Sequence, residues 1–182
     1  MVTALARCSL SVVLSSSDKP IRIVKDTLHS AKLLFSAGFG AGYWPWGPGT
    51  MGSLLAVLIW WLMAYSIESY AVVQLLTMLL TVLFTVLSIP AVGCAEAEWG
   101  HDSPRVVVDE MVGMWVALCA VPATRDWWWP LAALILFRLF DIYKPLGCRW
   151  IDRNIPGAWG VMLDDILAGV YAALVLTVLT LI

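Results

Sequence analysis

Charge is scarce in this sequence. Only 13% of its 182 residues are Asp, Glu, Lys or Arg, against about a quarter in an ordinary soluble domain. Histidine is scarcer still, with His29 and His101 alone and far apart, which excludes a histidine-built metal box. The four cysteines, Cys8, Cys94, Cys119 and Cys148, make no C-x-x-C pair and no zinc spacing. Neither a disulfide framework nor a zinc site is therefore expected. The net charge of −2 comes with no cluster of basic and aromatic residues, so no nucleic-acid partner is expected. No internal repeat and no low-complexity tract is present, and nothing in the sequence fixes an oligomeric state.

What replaces charge is apolar surface. Hydrophobic residues make up 61% of the chain, and the mean hydropathy is +0.85. About 20 apolar residues in a row cross a bilayer as a helix, and Ala71–Cys94 and Ile166–Ile182 carry no charge at all. Five hydrophobic blocks stand out: 52–67, 71–94, 106–121, 127–143 and 161–182. The first and third are short for a full span, and Asp109 and Glu110 interrupt the third. The pattern predicts an all-α, polytopic membrane helix bundle with four to five transmembrane helices. Residues 33–46, rich in Gly and Trp, read as a short re-entrant or interfacial segment. Most tryptophans fall near block ends, where an aromatic belt places them. Residues 1–32 read as a basic cytoplasmic extension, and 33–182 as the membrane-embedded domain. The run Cys8–Leu14 after Arg7 is at the short limit for a signal peptide and leads into a charged stretch, which argues against cleavage.

With five spans, the extension and every second connection after it carry nine of the ten lysines and arginines that flank the blocks, Arg125 being the exception. Positive-inside bias then sets the N-terminus in the cytoplasm. The same orientation brings Gly47–Ser53, Asp109, Glu110, Asp141, Asp164 and Asp165 to the cytoplasmic ends of spans. A dip by the third block, instead of a crossing, would change that parity.

Acidic residues within apolar blocks are the strongest local signal. A charge inside a transmembrane segment costs roughly 2.5–3.5 kcal/mol on insertion scales, so it usually faces a polar cavity and serves a function. Asp109, Glu110, Asp141, Asp164 and Asp165 qualify. Arg138, Asp141 and Lys144 follow at i, i+3 and i+6, so successive pairs share a helical face. Gly113 and Gly169 lie one turn after Asp109 and Asp165, where a small residue lets neighbouring helices approach. Several carboxylates without histidine or thiolate suit a hard cation, and magnesium is the natural choice. Arg138, Lys144, Arg149 and Arg153 supply cations for a phosphate. The run Gly47-Pro-Gly-Thr-Met-Gly-Ser53 has two readings: a backbone nest for an anion, or a turn in which Thr50 or Ser53 caps the next helix. No cysteine precedes an arginine loop, and no D-x-D supplies an aspartyl nucleophile. His101-Asp102-Ser103 cannot converge as a triad, because adjacent residues lack the required geometry, which leaves His101 a candidate for proton transfer at most.

Taken together, Gly38-Phe-Gly-Ala-Gly42 leading into Pro48–Ser53, Val108-Asp-Glu-Met-Val-Gly-Met-Trp115, Phe137-Arg-Leu-Phe-Asp-Ile-Tyr-Lys-Pro145, Asp152-Arg-Asn154 and Gly160-Val-Met-Leu-Asp-Asp-Ile-Leu-Ala-Gly169 resemble the motifs of the phosphatidylglycerophosphatase A family. They occur in the family's order and cover residues 33–182. The resemblance implies a magnesium-dependent phosphatase of the bacterial inner membrane. Such an enzyme converts phosphatidylglycerophosphate to phosphatidylglycerol and phosphate, in the synthesis of phosphatidylglycerol and cardiolipin. On this reading Asp109, Asp141 and Asp165 hold magnesium, with Glu110 and Asp164 nearby as candidate bases. Arg138, Lys144, Arg153 and the turn carrying Gly49, Thr50 and Ser53 bind phosphate. Two other classes use intramembrane acids. A transporter predicts carboxylates spread across membrane depth, and a phosphoalcohol transferase needs a D-G-x-x-A-R run that this chain lacks. A purely structural membrane protein has no need of the acidic set.

Overall fold

A computed structural model describes residues 19–182 apart from 102, 124, 125 and 146; the side chains of 19–24, 152 and 153 also lie outside the described set. The chain divides into two units, Met1–Ala31 and Lys32–Ile182. The first described helix is α1 (Lys19–Ser36). A 3-10 segment, Gly38–Tyr43, follows it and leads to α2 (Pro48–Ser66), α3 (Tyr70–Trp99) and α4 (Val108–Leu118). Helices α5 (Trp128–Tyr143), α6 (Cys148–Asn154) and α7 (Ala158–Thr180) complete the chain. The described residues are all-helical in their regular structure, with no strand among them.

Among the described residues, three helices are long and apolar enough to cross a membrane: α2 with 19 residues, α3 with 30 and α7 with 23. Their outward surfaces match that role, since Leu75, Met78, Leu79, Val82, Leu83 and Val86 on α3 are all more than half exposed. Polar side chains on α3 satisfy themselves inside the helix. Thr77, Thr81 and Thr85 each donate to the carbonyl four residues back, at 2.7–2.8 Å. Helix α4 is different. Its 11 residues are about 16 Å long, and nine of them are buried, from Val108 to Leu118. A helix that is apolar on every side belongs at the centre of a bundle.

Contacts at the two ends fix the course of α4. Its first turn meets the first turn of α2, where Gly49 faces Glu110 and Gly52 faces Val107. At the other end, Tyr70 and Gln74, in the first turns of α3, donate to carbonyls between Leu118 and Val121. Helix α4 and the loop behind it therefore run the length of the bundle, parallel to α2 and antiparallel to α3. Midway, the Trp115 indole donates to the Ala56 carbonyl at 3.0 Å, with both residues buried.

Close approach of α4 and α7 depends on two glycines. A Cβ at Gly113 would come within 2.5 Å of the Asp165 carbonyl oxygen and 2.6 Å of the Phe137 ring. One at Gly169 would overlap the Gly113 carbonyl and reach Val116 Cβ at 3.0 Å. The spacing of each glycine one turn after an aspartate thus does what helix packing requires of it. Before α2, the Gly38–Tyr43 segment turns through positive φ at Gly38, Phe39 and Gly40. Just ahead of this segment, the last residue of α1 is tied to the start of α4: the Val107 N–H donates to the Ser36 carbonyl at 2.9 Å. The segment's neighbours Trp44 and Trp46 are exposed.

Candidate functional site: a buried carboxylate group at one end of the bundle

The first turn of α4, the last turns of α5 and the second turn of α7 converge at the end of the bundle where α2 begins. Asp109, Glu110 and Asp165 there offer carboxylate oxygens that all lie within 4.8 Å of one another. Asp109 and Asp165 are 7% and 4% exposed. Asp109 Oδ1 and Glu110 Oε2 are buried without a hydrogen-bond partner. Buried polar atoms are nearly always satisfied, and like charges this close repel unless something positive sits between them. Three convergent carboxylates, two of them with a buried oxygen left unpartnered, fit a hard divalent cation, so the group could hold a metal.

Arginine 138 borders this group. Its Nη1 lies 2.6 Å from Asp141 Oδ2, one helical turn on, and 4.0 Å from Glu110 Oε1. Asp141 stands outside the set of three, with one oxygen turned to the guanidinium. Asp164, next to Asp165 on α7, accepts from Lys144 Nζ at 2.5 Å. Lys144 ends α5 in the left-handed region, at φ 44° and ψ 62°. The structure therefore brings Asp109, Glu110, Asp165, Arg138 and Asp141 to one place and holds Asp164 through Lys144.

The glycine-rich turn before α2 enters the same site by its backbone. Gly47 is the N-cap residue in the left-handed conformation and Pro48 opens the helix, so neither Thr50 nor Ser53 caps it. The Ser53 hydroxyl donates to the Gly49 carbonyl at 3.0 Å, and Thr50 is exposed. Gly49 is the residue that counts here. A Cβ on it would overlap Glu110 Oε1 and lie 3.2 Å from Arg138 Nη1. In the first turn of α2 the Gly49 and Thr50 N–H groups have no partner inside the helix, while Pro48 has none to offer and the Met51 N–H donates to the Gly47 carbonyl at 3.2 Å. Arg153 falls on α6, with its side chain outside the described residues. His101 pairs with Glu96 at 2.6 Å, and Asp102 lies outside the described residues. Cys148 is buried, and that burial pushes its thiol above the usual range, which disfavours the thiolate that a nucleophile needs.

The sequence profile of phosphatidylglycerophosphatase A matches residues 34–180, most of the chain. The chain belongs to the phosphatidylglycerophosphatase A family. Membership makes it a phosphatase. Two relatives carry the family name. The Escherichia coli K12 protein is 41% identical over 141 residues, which is 77% of this chain and 78% of that protein. The Haemophilus influenzae protein is 36% identical over 148 residues, 78% and 84% of the two chains. A Bacteroides thetaiotaomicron protein named provisionally as a phosphatidylinositol-3-phosphatase is 48% identical over 147 residues, 80% of this chain and 91% of its own. No solved structure matches the chain.

Within this phosphatidylglycerophosphatase A fold, the sequence reading set Asp109, Asp141 and Asp165 together with Glu110 close by, whereas the structure groups Asp109, Glu110 and Asp165 and turns one Asp141 oxygen to Arg138. Helical spacing puts residues 109 and 110 about 100° apart, which hides their convergence. What joins them is Gly49, whose missing side chain leaves room for the Glu110 carboxylate beside Arg138.

Proposed function

We propose that this protein hydrolyses the phosphomonoester of phosphatidylglycerophosphate, releasing phosphate and leaving phosphatidylglycerol, in a magnesium-dependent reaction. The observation that carries this reading is the buried group of Asp109, Glu110 and Asp165 with Arg138 at its edge, in a chain of this family. Asp109, Glu110 and Asp165 hold the magnesium ion. A magnesium ion held there would supply Lewis-acid polarisation of the phosphoryl oxygens and a more acidic water. Arg138 and the first-turn N–H groups of α2 bind the equatorial oxygens, where charge gathers during phosphoryl transfer. Asp141 is assigned to positioning Arg138. Asp164, oriented by Lys144, accepts the proton of the attacking water. Arg153 adds positive charge on the neighbouring α6.

The membrane reading goes with this. Five passages cross the bacterial inner membrane: α2, α3, α4 with its trailing loop, α5 and α7. Helix α4 needs no lipid-exposed length, since backbone sheltered by protein is tolerated at membrane depth. The parity of a five-span chain then holds, and positive-inside bias puts the carboxylate group on the cytoplasmic face. Gly38–Tyr43 with Trp44 and Trp46 lies at the interface, and residues 1–32 remain in the cytoplasm.

A second substrate is favoured by the Bacteroides relative's name: a phosphoinositide phosphorylated at the 3-position. Phosphate release from both lipids in detergent micelles, with and without magnesium, decides between them by kcat/KM. Asp165→Asn is expected to abolish release. Full activity without magnesium, or in the Asp165→Asn protein, would overturn the assignment of the acidic group.

A further inference from the structure

The turn between α5 and α6 frames an open cavity of about 510 Å³ whose wall includes Tyr143, Lys144, Gly147, Arg149, Trp150 and Asn154. Both charged residues among its described lining are cations. Lys144 belongs to two sites at once. It lines this cavity, and its Nζ holds Asp164, the neighbour of Asp165 in the carboxylate group. A lysine in the left-handed backbone region is uncommon. The surrounding structure therefore specifies the turn that sets it between the two sites. Beyond it, the Arg149 Nη2 donates to the Tyr143 carbonyl at 3.4 Å, which keeps the guanidinium on the cavity wall. Tyr143 and Trp150 are 69% and 62% exposed, as suits rings at lipid headgroup level.

We propose that this cavity binds the phosphodiester of the lipid substrate while the acidic group works on its phosphomonoester. The inference rests on the proposed function. Both lipids considered above share one chemical feature: a phosphomonoester and a phosphodiester on carbons related 1,3, on glycerol in one case and on inositol in the other. A substrate with its monoester at Asp109, Glu110 and Asp165 leads its connecting carbons past Lys144. That places the diester anion where Arg149 waits. Arg149, and Lys144 in part, thus select lipids with two phosphates. Phosphatidate, which has only a monoester, lacks the second anchor.

Steady-state kinetics of wild type, Arg149→Gln and Arg149→Lys on phosphatidylglycerophosphate tests this, with the product phosphatidylglycerol as competitive inhibitor. Phosphatidylglycerol carries the diester alone, so its Ki reads the subsite by itself. Arg149 is exposed, so its replacement spares the fold. Arg149→Gln is expected to raise KM and Ki by about tenfold each, the effect of losing one charge-assisted hydrogen bond, with kcat within about threefold of wild type. Arg149→Lys is expected to recover most of both. A wild-type KM and Ki in Arg149→Gln, or a loss confined to kcat, would overturn the subsite and leave the proposed function standing. A wild-type protein that releases no phosphate from either lipid would overturn the proposed function itself.

Discussion

Replacing Gly49 by alanine separates the site from the scaffold. Gly49 lies in the first turn of α2, so alanine there favours the helix by up to about 1 kcal/mol. The added Cβ would overlap Glu110 Oε1, come within 3.0 Å of Glu110 Cδ and stand 3.2 Å from Arg138 Nη1. What yields is the far end of a flexible carboxylate. The backbone has no need to move, so stability should hold. The carboxylate must swing by about 1 Å, and a misplacement of that size at a reacting centre costs on the order of 100-fold. We expect Gly49→Ala to lose about 100-fold in kcat/KM for phosphatidylglycerophosphate while its thermal inactivation midpoint stays at or above wild type. Gly52→Ala is the control. There the new Cβ meets the Val107 carbonyl oxygen at 2.8 Å and Val107 Cβ at 2.9 Å, a backbone atom and one fixed directly to the backbone, neither of which can swing aside. That variant should lose about 1–3 kcal/mol of stability. Wild-type kcat/KM in Gly49→Ala would refute the argument that Glu110 sits at the reacting centre.

Gly113→Ala presses a methyl group onto the Asp165 carbonyl and the Phe137 ring at 2.5–2.6 Å, so a loss of about 1–3 kcal/mol is expected. A lowered inactivation midpoint in detergent checks it. Treatment with N-ethylmaleimide near neutral pH should leave phosphate release intact, because Cys148 is buried and its thiol is held protonated. Inactivation that substrate prevents would argue for a thiol in the site.

Much of the fold was legible because apolar runs report burial directly. The blocks at 52–67, 71–94 and 161–182 became α2, α3 and α7, the helices long enough to cross a membrane. The block at 106–121 was not readable in the same way. A run that is apolar on all sides looks alike whether lipid or protein surrounds it, and α4 proved to be a helix of 11 residues, nine of them buried in the bundle. The acidic residues stood out because charge in an apolar run is costly. Their grouping in space did not. Asp141 and Glu110 are equally acidic in sequence, and only the guanidinium 2.6 Å from one of them and the missing Cβ beside the other tell them apart.

The sequence by itself determined the all-helical class, the family and the set of acidic residues, since each depends on residue type and spacing along one chain. Tertiary structure alone decided which carboxylates converge, why glycine stands at 49 and 113, and how Lys144 links the acidic group to a second, cationic cavity. Those are distances between helices far apart in the chain, fixed by side-chain volume at the contacts, and no periodicity within a helix encodes them.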